Sequence, residues 1–232
     1  MKRVYDLSSI ILFQGVGSMD ILEITSIIGT IAFSFSGALV AIEEKYDLLG
    51  IAVLGFVTAF GGGALRNLIL GLSMDIFWSQ TTLFYVSFAT IGIVYLFPKR
   101  LSSMKMLELI SDAIGLAAFS IQGALYGLGI NGHIGPVIMA ALLTGTGGGL
   151  IRDLLAGKKP SVLCAEIYGS WSILIAIALY VYRPTHSLVY LFIIVLTVLL
   201  RVVGLTYDWN LPKSKFNKHD DDNSHPTLKI DL

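Results

Sequence analysis

Charged residues are scarce in this sequence. Only 14% of its 232 residues are Asp, Glu, Lys or Arg, whereas about a quarter is usual for a soluble domain. The formal net charge is zero, so the chain lacks the basic surface that binds nucleic acid. Cysteine occurs once, at Cys164, which excludes an intrachain disulfide. These shortages point away from soluble enzymes and nucleic-acid-binding proteins.

Catalytic motifs are missing as well. The sequence contains no His-Glu-x-x-His, no Walker loop, no Gly-x-Ser-x-Gly and no cysteine pair. We therefore predict that the protein is not an enzyme and that it has no cofactor. K⁺ or Na⁺ is considered only as a transported ion.

Apolar residues are abundant: 55% of the chain is hydrophobic and the mean hydropathy is +0.77. A helix needs about 20 apolar residues to cross the roughly 30 Å hydrocarbon core of a bilayer. Seven segments meet or approach this length, with charged or turn-rich breaks between them. The sequence thus predicts an all-α integral membrane protein with seven transmembrane helices in a lipid bilayer. The predicted spans are 21–42, 49–71, 82–97, 107–128, 135–157, 163–182 and 186–205.

Lys and Arg fall mainly on one side of these spans. The side that holds the N-terminus and the second, fourth and sixth loops carries Lys2, Arg3 and Arg183. Because positive loops stay in the cytoplasm, we predict a protein of the plasma (inner) membrane with its N-terminus outside and its C-terminus in the cytoplasm. The opposite, cytoplasmic side carries Lys45, Lys99, Arg100, Lys105, Lys158, Lys159, Arg201, Lys213, Lys215, Lys218 and Lys229.

Both ends of the chain differ from the spans. Residues 1–20 are predicted to be an N-terminal leader, either an interfacial segment or an extension before a start at Met19. Residues 212–232 are polar and are predicted to be a disordered cytoplasmic tail. Metal binding by His219, His225 and the aspartates between them is the alternative for the tail.

An internal repeat appears when the sequence is shifted by 86 residues without a gap. Gly29–Leu39 then lies over Gly115–Leu125, and Thr58–Leu68 lies over Thr144–Leu154. The spans divide into a first repeat (21–97), a second repeat (107–182) and a seventh helix. Since each repeat holds three spans, the second enters the membrane in the opposite direction. Inverted repeats of this kind are typical of transporters and channels, with the functional site near the midplane.

A glycine triplet lies near the middle of the second span and another near the middle of the fifth. Each glycine weakens a helix by about 1 kcal/mol relative to alanine. Irregular backbone at this depth is tolerated only inside the protein or beside water. We therefore expect a kink in each helix, with freed carbonyl groups along an aqueous path. The alternative is close packing of helices through small residues.

An arginine follows each triplet inside the span: Arg66 in the predicted outer half and Arg152 in the predicted inner half. A charge within the membrane indicates a functional site with a partner. Asp153 is adjacent to Arg152 but points about 100° away on the helix, so better partners are Asp112, carboxylates on other helices or freed carbonyl groups at the kinks. The alternative is that both arginines extend to the membrane surface.

Hydroxyl groups also recur at equivalent positions of the two repeats. Ser34 is equivalent to Ser120, and Thr58 is equivalent to Thr144. They are candidates for an ion path, or they simply bond to a carbonyl one turn back.

The paired motif Gly-Gly-Gly-x-x-Arg-Asn/Asp, one per three-helix repeat, resembles prokaryotic members of the trimeric intracellular cation channel family. The domain is also named the glycine transporter domain, and the resemblance covers about residues 20–205. It implies a homotrimer with a pore in each protomer, lined by the second and fifth helices and used by monovalent cations, chiefly potassium. Asn67 departs from the usual Asp, which puts an Arg–Asp pair in the first repeat in doubt. The motif positions are Gly61, Gly62, Gly63, Arg66, Asn67, Gly147, Gly148, Gly149, Arg152 and Asp153.

Three functions remain open from the sequence. A passive cation channel is favoured by the mid-membrane glycines and hydroxyls. A carrier for a small neutral amino acid such as glycine is the alternative, since an arginine can hold a carboxylate and an aspartate an ammonium group. A structural subunit without transport is the third.

Overall fold

The computed structural model describes residues 17–97, 105–130, 133–164, 168–184 and 186–207, and these ranges contain helices and connecting turns. The leader before Gly17 and the tail after Tyr207 lie outside the described residues. The helices are α1 (Gly17–Glu43), α2 (Leu48–Leu70), α3 (Asp75–Trp78), α4 (Thr81–Leu96), α5 (Lys105–Leu128), α6 (Ile134–Leu155), α7 (Ser161–Cys164), α8 (Tyr168–Tyr182) and α9 (Ser187–Thr206).

The ends of α2 and α6 follow from local sequence. The side chain of Asp47 caps α2 by accepting a hydrogen bond from the backbone N–H of Gly50 at 2.7 Å. Gly71 follows α2 with φ 67°, and Gly157 follows α6 with φ 69°. Both take the left-handed conformation that glycine adopts at little cost. The two glycines are equivalent in the 86-residue repeat, so both middle helices end in the same way.

Five of the described helices are long and apolar enough to cross a membrane: α1, α2, α5, α6 and α9. The helices observed at the predicted third and sixth spans are shorter than these five. Helix α4 has 16 residues and α8 has 15, and at 1.5 Å per residue they measure only about 24 and 22 Å. The structure is therefore an all-α membrane protein with five candidate spans and two shorter apolar helices. The sixth predicted span also begins differently, with the separate short helix α7 at its start.

The first helices of the two repeats, α1 and α5, pack against each other with reciprocal contacts. A Cβ on Gly29 would overlap with the ring of Phe119, and a Cβ on the equivalent Gly115 would overlap with the ring of Phe33. The two rings meet edge to face with centroids 5.3 Å apart. Because the paired residue numbers rise on α1 as they fall on α5, the two helices are antiparallel. The repeats are thus exchanged by a pseudo-twofold relation.

The third helices of the two repeats pack on the outside of this centre. Helix α4 contacts α1 and α2, and α8 contacts α5 and α6. The contacts correspond: the hydroxyl of Ser34 donates to that of Ser87 at 2.8 Å, and the hydroxyl of Ser120 donates to that of Ser172 at 2.7 Å. Helix α9 lies outside the repeat and packs mainly on α5.

Helix α9 leaves an apolar face uncovered within the protomer. Leu188, Phe192, Val195 and Leu199 recur at helical spacing and are all exposed. Such a face is expected where a helix meets lipid or another subunit.

Candidate functional site

The two glycine triplets lie where α2 and α6 cross. Both triplets are α-helical, and the helices continue through them without a break. A Cβ on Gly62 would overlap with the carbonyl oxygen of Thr144, and one on Gly148 would overlap with that of Thr58. The expected interruption of each helix with freed carbonyl groups is therefore wrong. The glycines act instead by the alternative mechanism, in which missing side chains let two backbones approach closely.

The three glycines of each triplet face different surroundings. A Cβ on Gly61 would meet Ile151, and one on Gly147 would lie 3.0 Å from the Cα of Gly62. The third glycines lie near the charged side chains: the nearest atom to a Cβ on Gly63 is Arg66 Nη2, at 3.9 Å, whereas one on Gly149 would lie 3.0 Å from the Tyr168 hydroxyl. Close contact between the two backbones thus belongs to the first two glycines.

Arg152 lies in a buried cluster of charges, which we call the Arg152 cluster: Arg152, Asp153, Asp112, Arg201 and Ser36. Its Nη1 donates to Asp112 Oδ1 at 2.7 Å and to Ser36 Oγ at 2.6 Å. Arg152 is only 3% exposed, so the predicted pairing with Asp112 is confirmed and extension to the membrane surface is excluded.

Asp153 also pairs with Arg152, contrary to the argument from helix geometry. Arg152 Nη2 lies 2.8 Å from Asp153 Oδ1, and Nε donates to the same oxygen. The two Cβ atoms diverge, but the long arginine side chain curves back to its neighbour. The other oxygen of Asp153 accepts bonds from the backbone N–H and the hydroxyl of Ser161, which ties α6 to the start of α7.

Arg201 of α9 is the member of this cluster that the sequence argument missed. Its Nη1 lies 2.7 Å from Asp112 Oδ2, and its guanidinium carbon lies 4.1 Å from the centre of the Tyr168 ring. Arg201 was placed with the cytoplasmic loop cations, yet it is 7% exposed. Its position inside the predicted span was the signal, since the same criterion selected Arg66 and Arg152.

The cluster is balanced in charge, with two arginines and two aspartates. Transfer of a single charge out of water costs several kcal/mol, and pairing repays this cost only when the geometry is good. Asp112 uses one oxygen for each arginine, so it connects α5 to α6 and α9 at once. Its role is a bridge at the centre of the cluster.

Arg66 occupies the equivalent position in the first repeat but has different partners. It is 1% exposed, and its Nε and Nη2 both donate to Asn67 Oδ1, at 3.0 and 2.8 Å. Its guanidinium carbon lies 3.9 Å from the centre of the Tyr126 ring. Asn67 in turn donates to the carbonyl of Ser73. Neutral groups have replaced the carboxylates of the second repeat, as the departure at Asn67 suggested.

A small cavity lies beside Arg66, and we call it the Arg66 cavity. Its volume of about 20 Å³ is room for one water molecule or a small ion. Three of the predicted site residues, Gly63, Arg66 and Thr144, line this cavity. The cavity is lined by Thr30, Ala59, Phe60, Gly63, Arg66, Phe77, Gln80, Leu83, Phe119, Gln122 and Thr144.

The remaining predicted hydroxyls bond inside the helix bundle. Thr58 donates to the carbonyl of Leu54 and Thr144 to that of Ala140, each one turn back at 2.6 Å. Ser34 and Ser120 pair with serines of α4 and α8. In the described ranges, no group of three His, Cys, Asp or Glu side chains is arranged to hold a metal ion.

Fold and site together define a duplicated α-helical membrane protein with a buried arginine on each side of one glycine crossing. The profile of the Glycine transporter family matches residues 23–99 and 109–184, one copy per repeat. The chain therefore belongs to the Glycine transporter (UPF0126) family, in two tandem copies.

Relatives and a solved structure agree with this assignment. The UPF0126 membrane protein YvgT of Bacillus subtilis is 49% identical over 197 residues, which are 84% of this chain and 96% of YvgT. The UPF0126 inner membrane protein YadS of Escherichia coli is 34% identical over 201 residues, covering 80% and 92%. The TRIC trimeric intracellular cation channel orthologue from Rhodobacter sphaeroides has a TM-score of 0.73 and 29% identity, covering 81% and 98%. The resemblance found in the sequence is thereby confirmed.

Proposed function

We propose that the protein is a monovalent cation channel that favours potassium, with one ion route in each protomer of a homotrimer. The observation that carries the proposal is the pair of buried arginine sites on opposite sides of one glycine crossing, in a fold like that of TRIC cation channels. In this proposal α4 and α8 also cross the bilayer, which gives seven crossings in two inverted repeats. The N-terminus lies outside and the C-terminus in the cytoplasm of the plasma membrane.

The glycine crossing is the narrowest point of the proposed route. Side chains are missing there, so the wall consists of backbone, including the carbonyl oxygens of Thr58 and Thr144. Backbone carbonyls can replace the hydration shell of a potassium ion. In the described conformation the two helices touch at this point, which corresponds to a closed channel. Opening requires α2 and α6 to separate.

The Arg152 cluster acts as a gate at one end of the route. An unpaired arginine would repel cations, whereas Arg152 is neutralised by Asp112 and Asp153. The cluster joins α1, α5, α6 and α9 through Ser36, Asp112 and Arg201. Movement of any of these helices changes the charge that an ion meets.

A glycine carrier fits these contacts less well. A carrier needs a free carboxylate for the ammonium group, and Asp112 is already held by two arginines. This observation favours the channel.

Purified protein in planar bilayers tests the proposal directly. We expect unitary potassium currents that are unaffected by glycine, with a reversal potential that follows the potassium gradient, and a trimer by light scattering. Asp112→Asn should change gating, and Glu23→Gln, an exposed carboxylate on α1, is the matched control. Saturable uptake of labelled glycine without currents would overturn the channel and support the carrier.

A further inference from the structure

The first repeat keeps the buried arginine of the second repeat but loses both of its carboxylates. Arg152 is paired with Asp153 and Asp112. The residues at the equivalent positions, 86 earlier, are Asn67 and Ser26. Arg66 is therefore a buried cation whose side-chain partners in the described part of the chain are all neutral.

One nitrogen of Arg66 also lacks a hydrogen-bond partner. Nε and Nη2 are used by Asn67, and Nη1 is buried without an acceptor among the described residues. In the second repeat the equivalent Nη1 reaches Ser36 and Asp112. The residues equivalent to that pair, Gln122 and Ser26, bond to each other at 2.5 Å instead.

A second donor without a partner lines the same space. The hydroxyl of Thr30 is buried and has no acceptor in the described ranges, and Thr30 and Arg66 both line the Arg66 cavity. A buried polar group without a partner is costly, and an unpaired charge is more so. A negatively charged occupant removes both costs at once, whereas a water molecule leaves the charge of Arg66 uncompensated.

We propose that the Arg66 cavity binds a small monovalent anion of the size of chloride, held by Arg66 Nη1 and the Thr30 hydroxyl. The anion takes the place of the carboxylates that neutralise Arg152 in the second repeat. The cavity volume of about 20 Å³ admits a single atom of this kind and excludes larger organic anions such as gluconate.

Bromide gives a direct test on the wild-type protein. Crystals grown in bromide should show an anomalous peak within hydrogen-bonding distance of Arg66 Nη1 and Thr30 Oγ1, and no peak at Arg152. Absence of a bromide peak at Arg66 overturns the proposal, whatever occupies the cavity in its place. The result is independent of ion conduction, so the anion site and the channel can fail separately.

Thermal stability in detergent gives a second test, with the potassium concentration constant and either chloride or gluconate as anion. A ligand that binds only the folded state raises the melting temperature, so chloride should raise the apparent value by a few degrees. Asn67→Asp introduces the carboxylate that the second repeat has at this position, and chloride should no longer raise the melting temperature of this variant. Thr82→Asp adds the same charge at an exposed position at the start of α4 and should keep the full effect.

Thr30→Val separates anion binding from packing, because the two side chains have the same shape. Loss of the hydroxyl should weaken chloride binding about tenfold or more, while stability in gluconate stays equal or rises. The proposed site would be overturned if chloride raised the melting temperature of Asn67→Asp as much as that of the wild type, or if Thr30→Val bound chloride with unchanged affinity.

Discussion

Gly148 and Thr58 lie so close together that a Cβ on the glycine would overlap with the carbonyl oxygen of the threonine. The same relationship holds between Gly62 and Thr144, with the repeats exchanged. The neighbouring atoms are backbone, which cannot rotate away as a flexible side chain can. The α2–α6 contact therefore depends on glycine at these two equivalent positions.

Alanine at either of these positions should force the two helices apart. We expect Gly62→Ala and Gly148→Ala each to destabilise the protein by about 1–3 kcal/mol, the usual cost of one extra carbon in a packed interior. The change would be read as a lower apparent melting temperature in detergent.

Gly92→Ala is the matched control for these two variants. A Cβ on Gly92, in α4, meets nothing within 4 Å, so the variant should gain up to about 1 kcal/mol from helix propensity. Equal stability of all three variants would contradict the close contact at the crossing.

Asp112 should be the most sensitive carboxylate of the described chain. Asp112→Asn leaves Arg152 with Asp153 alone and leaves Arg201 without a carboxylate partner among the described residues. Removing one partner of a buried ion pair costs about 3–5 kcal/mol, because the remaining charge stays buried without a partner. We expect a loss of this size in thermal stability, together with release of α9 detected by faster proteolysis.

Combining Asp112→Asn with Arg201→Gln provides the control. The double variant again has equal numbers of positive and negative charges in the cluster, so its loss should be smaller than the sum of the two single losses. Additive losses would mean that Asp112 and Arg201 do not interact.

Much of this fold could be predicted from the sequence, because apolar runs and the 86-residue repeat are both local patterns. The predicted spans for α1, α2, α5, α6 and α9 agree with the observed helices to within a few residues. The predicted third span, 82–97, likewise agrees with α4. The extent of α8 could not be predicted in this way, because the sequence is already apolar before Tyr168, and so the predicted sixth span begins at the end of α7.

The role of the glycines could not be predicted from the sequence of each helix alone. A triplet weakens a helix in isolation, but whether the helix breaks depends on what lies opposite. Gly62 faces the backbone of α6, and this contact supports the helix where its own propensity is low. The repeat itself contained the necessary information, since equivalent glycines of antiparallel helices are natural partners.

The charge cluster shows a second limit of sequence reasoning. Adjacent Cβ atoms on a helix diverge, which argued against the Arg152–Asp153 pair, yet the arginine side chain is long enough to turn back. Asp112 was found because it is the deepest carboxylate of its helix. Its second partner, Arg201, comes from a helix outside the repeat, so the repeat gave no indication of it.

The serine pairs should contribute to stability and not to ion selection. The hydroxyls of Ser34 and Ser120 are already used in hydrogen bonds to serines of α4 and α8. We expect Ser34→Ala and Ser120→Ala each to cost about 0.6 kcal/mol, the average for hydrogen bonds between membrane helices. Potassium-over-sodium selectivity, measured from reversal potentials, should stay at the wild-type value. A shift in either variant would place these hydroxyls on the ion path.

An ion pair at the surface connects the end of α1 in the first repeat to the turn after α6 in the second. The Nζ atom of Lys158, which follows α6, lies 3.2 Å from Glu43 Oε2 and 3.3 Å from Glu44 Oε1 at the end of α1. Partial burial lowers the pKa of Lys158, but the hydrogen bond to Glu43 and the charges of nearby carboxylates raise it by more, so the pKa lies above its ordinary value. A raised lysine pKa means that the folded state binds the proton more tightly than the unfolded state does.

The stabilisation by Lys158 is therefore complete at neutral pH and is lost only as the pH rises above the ordinary lysine pKa of about 10.4. Because the pair is partly exposed, Lys158→Met should cost only about 0.2–1 kcal/mol at pH 7 and low salt. The difference from wild type should shrink in 1 M salt, which screens exposed charges, and disappear above the raised pKa. Lys159→Met, at the exposed neighbouring position, should show no such pH or salt dependence, and an equal effect of the two substitutions would contradict a specific pair with Glu43.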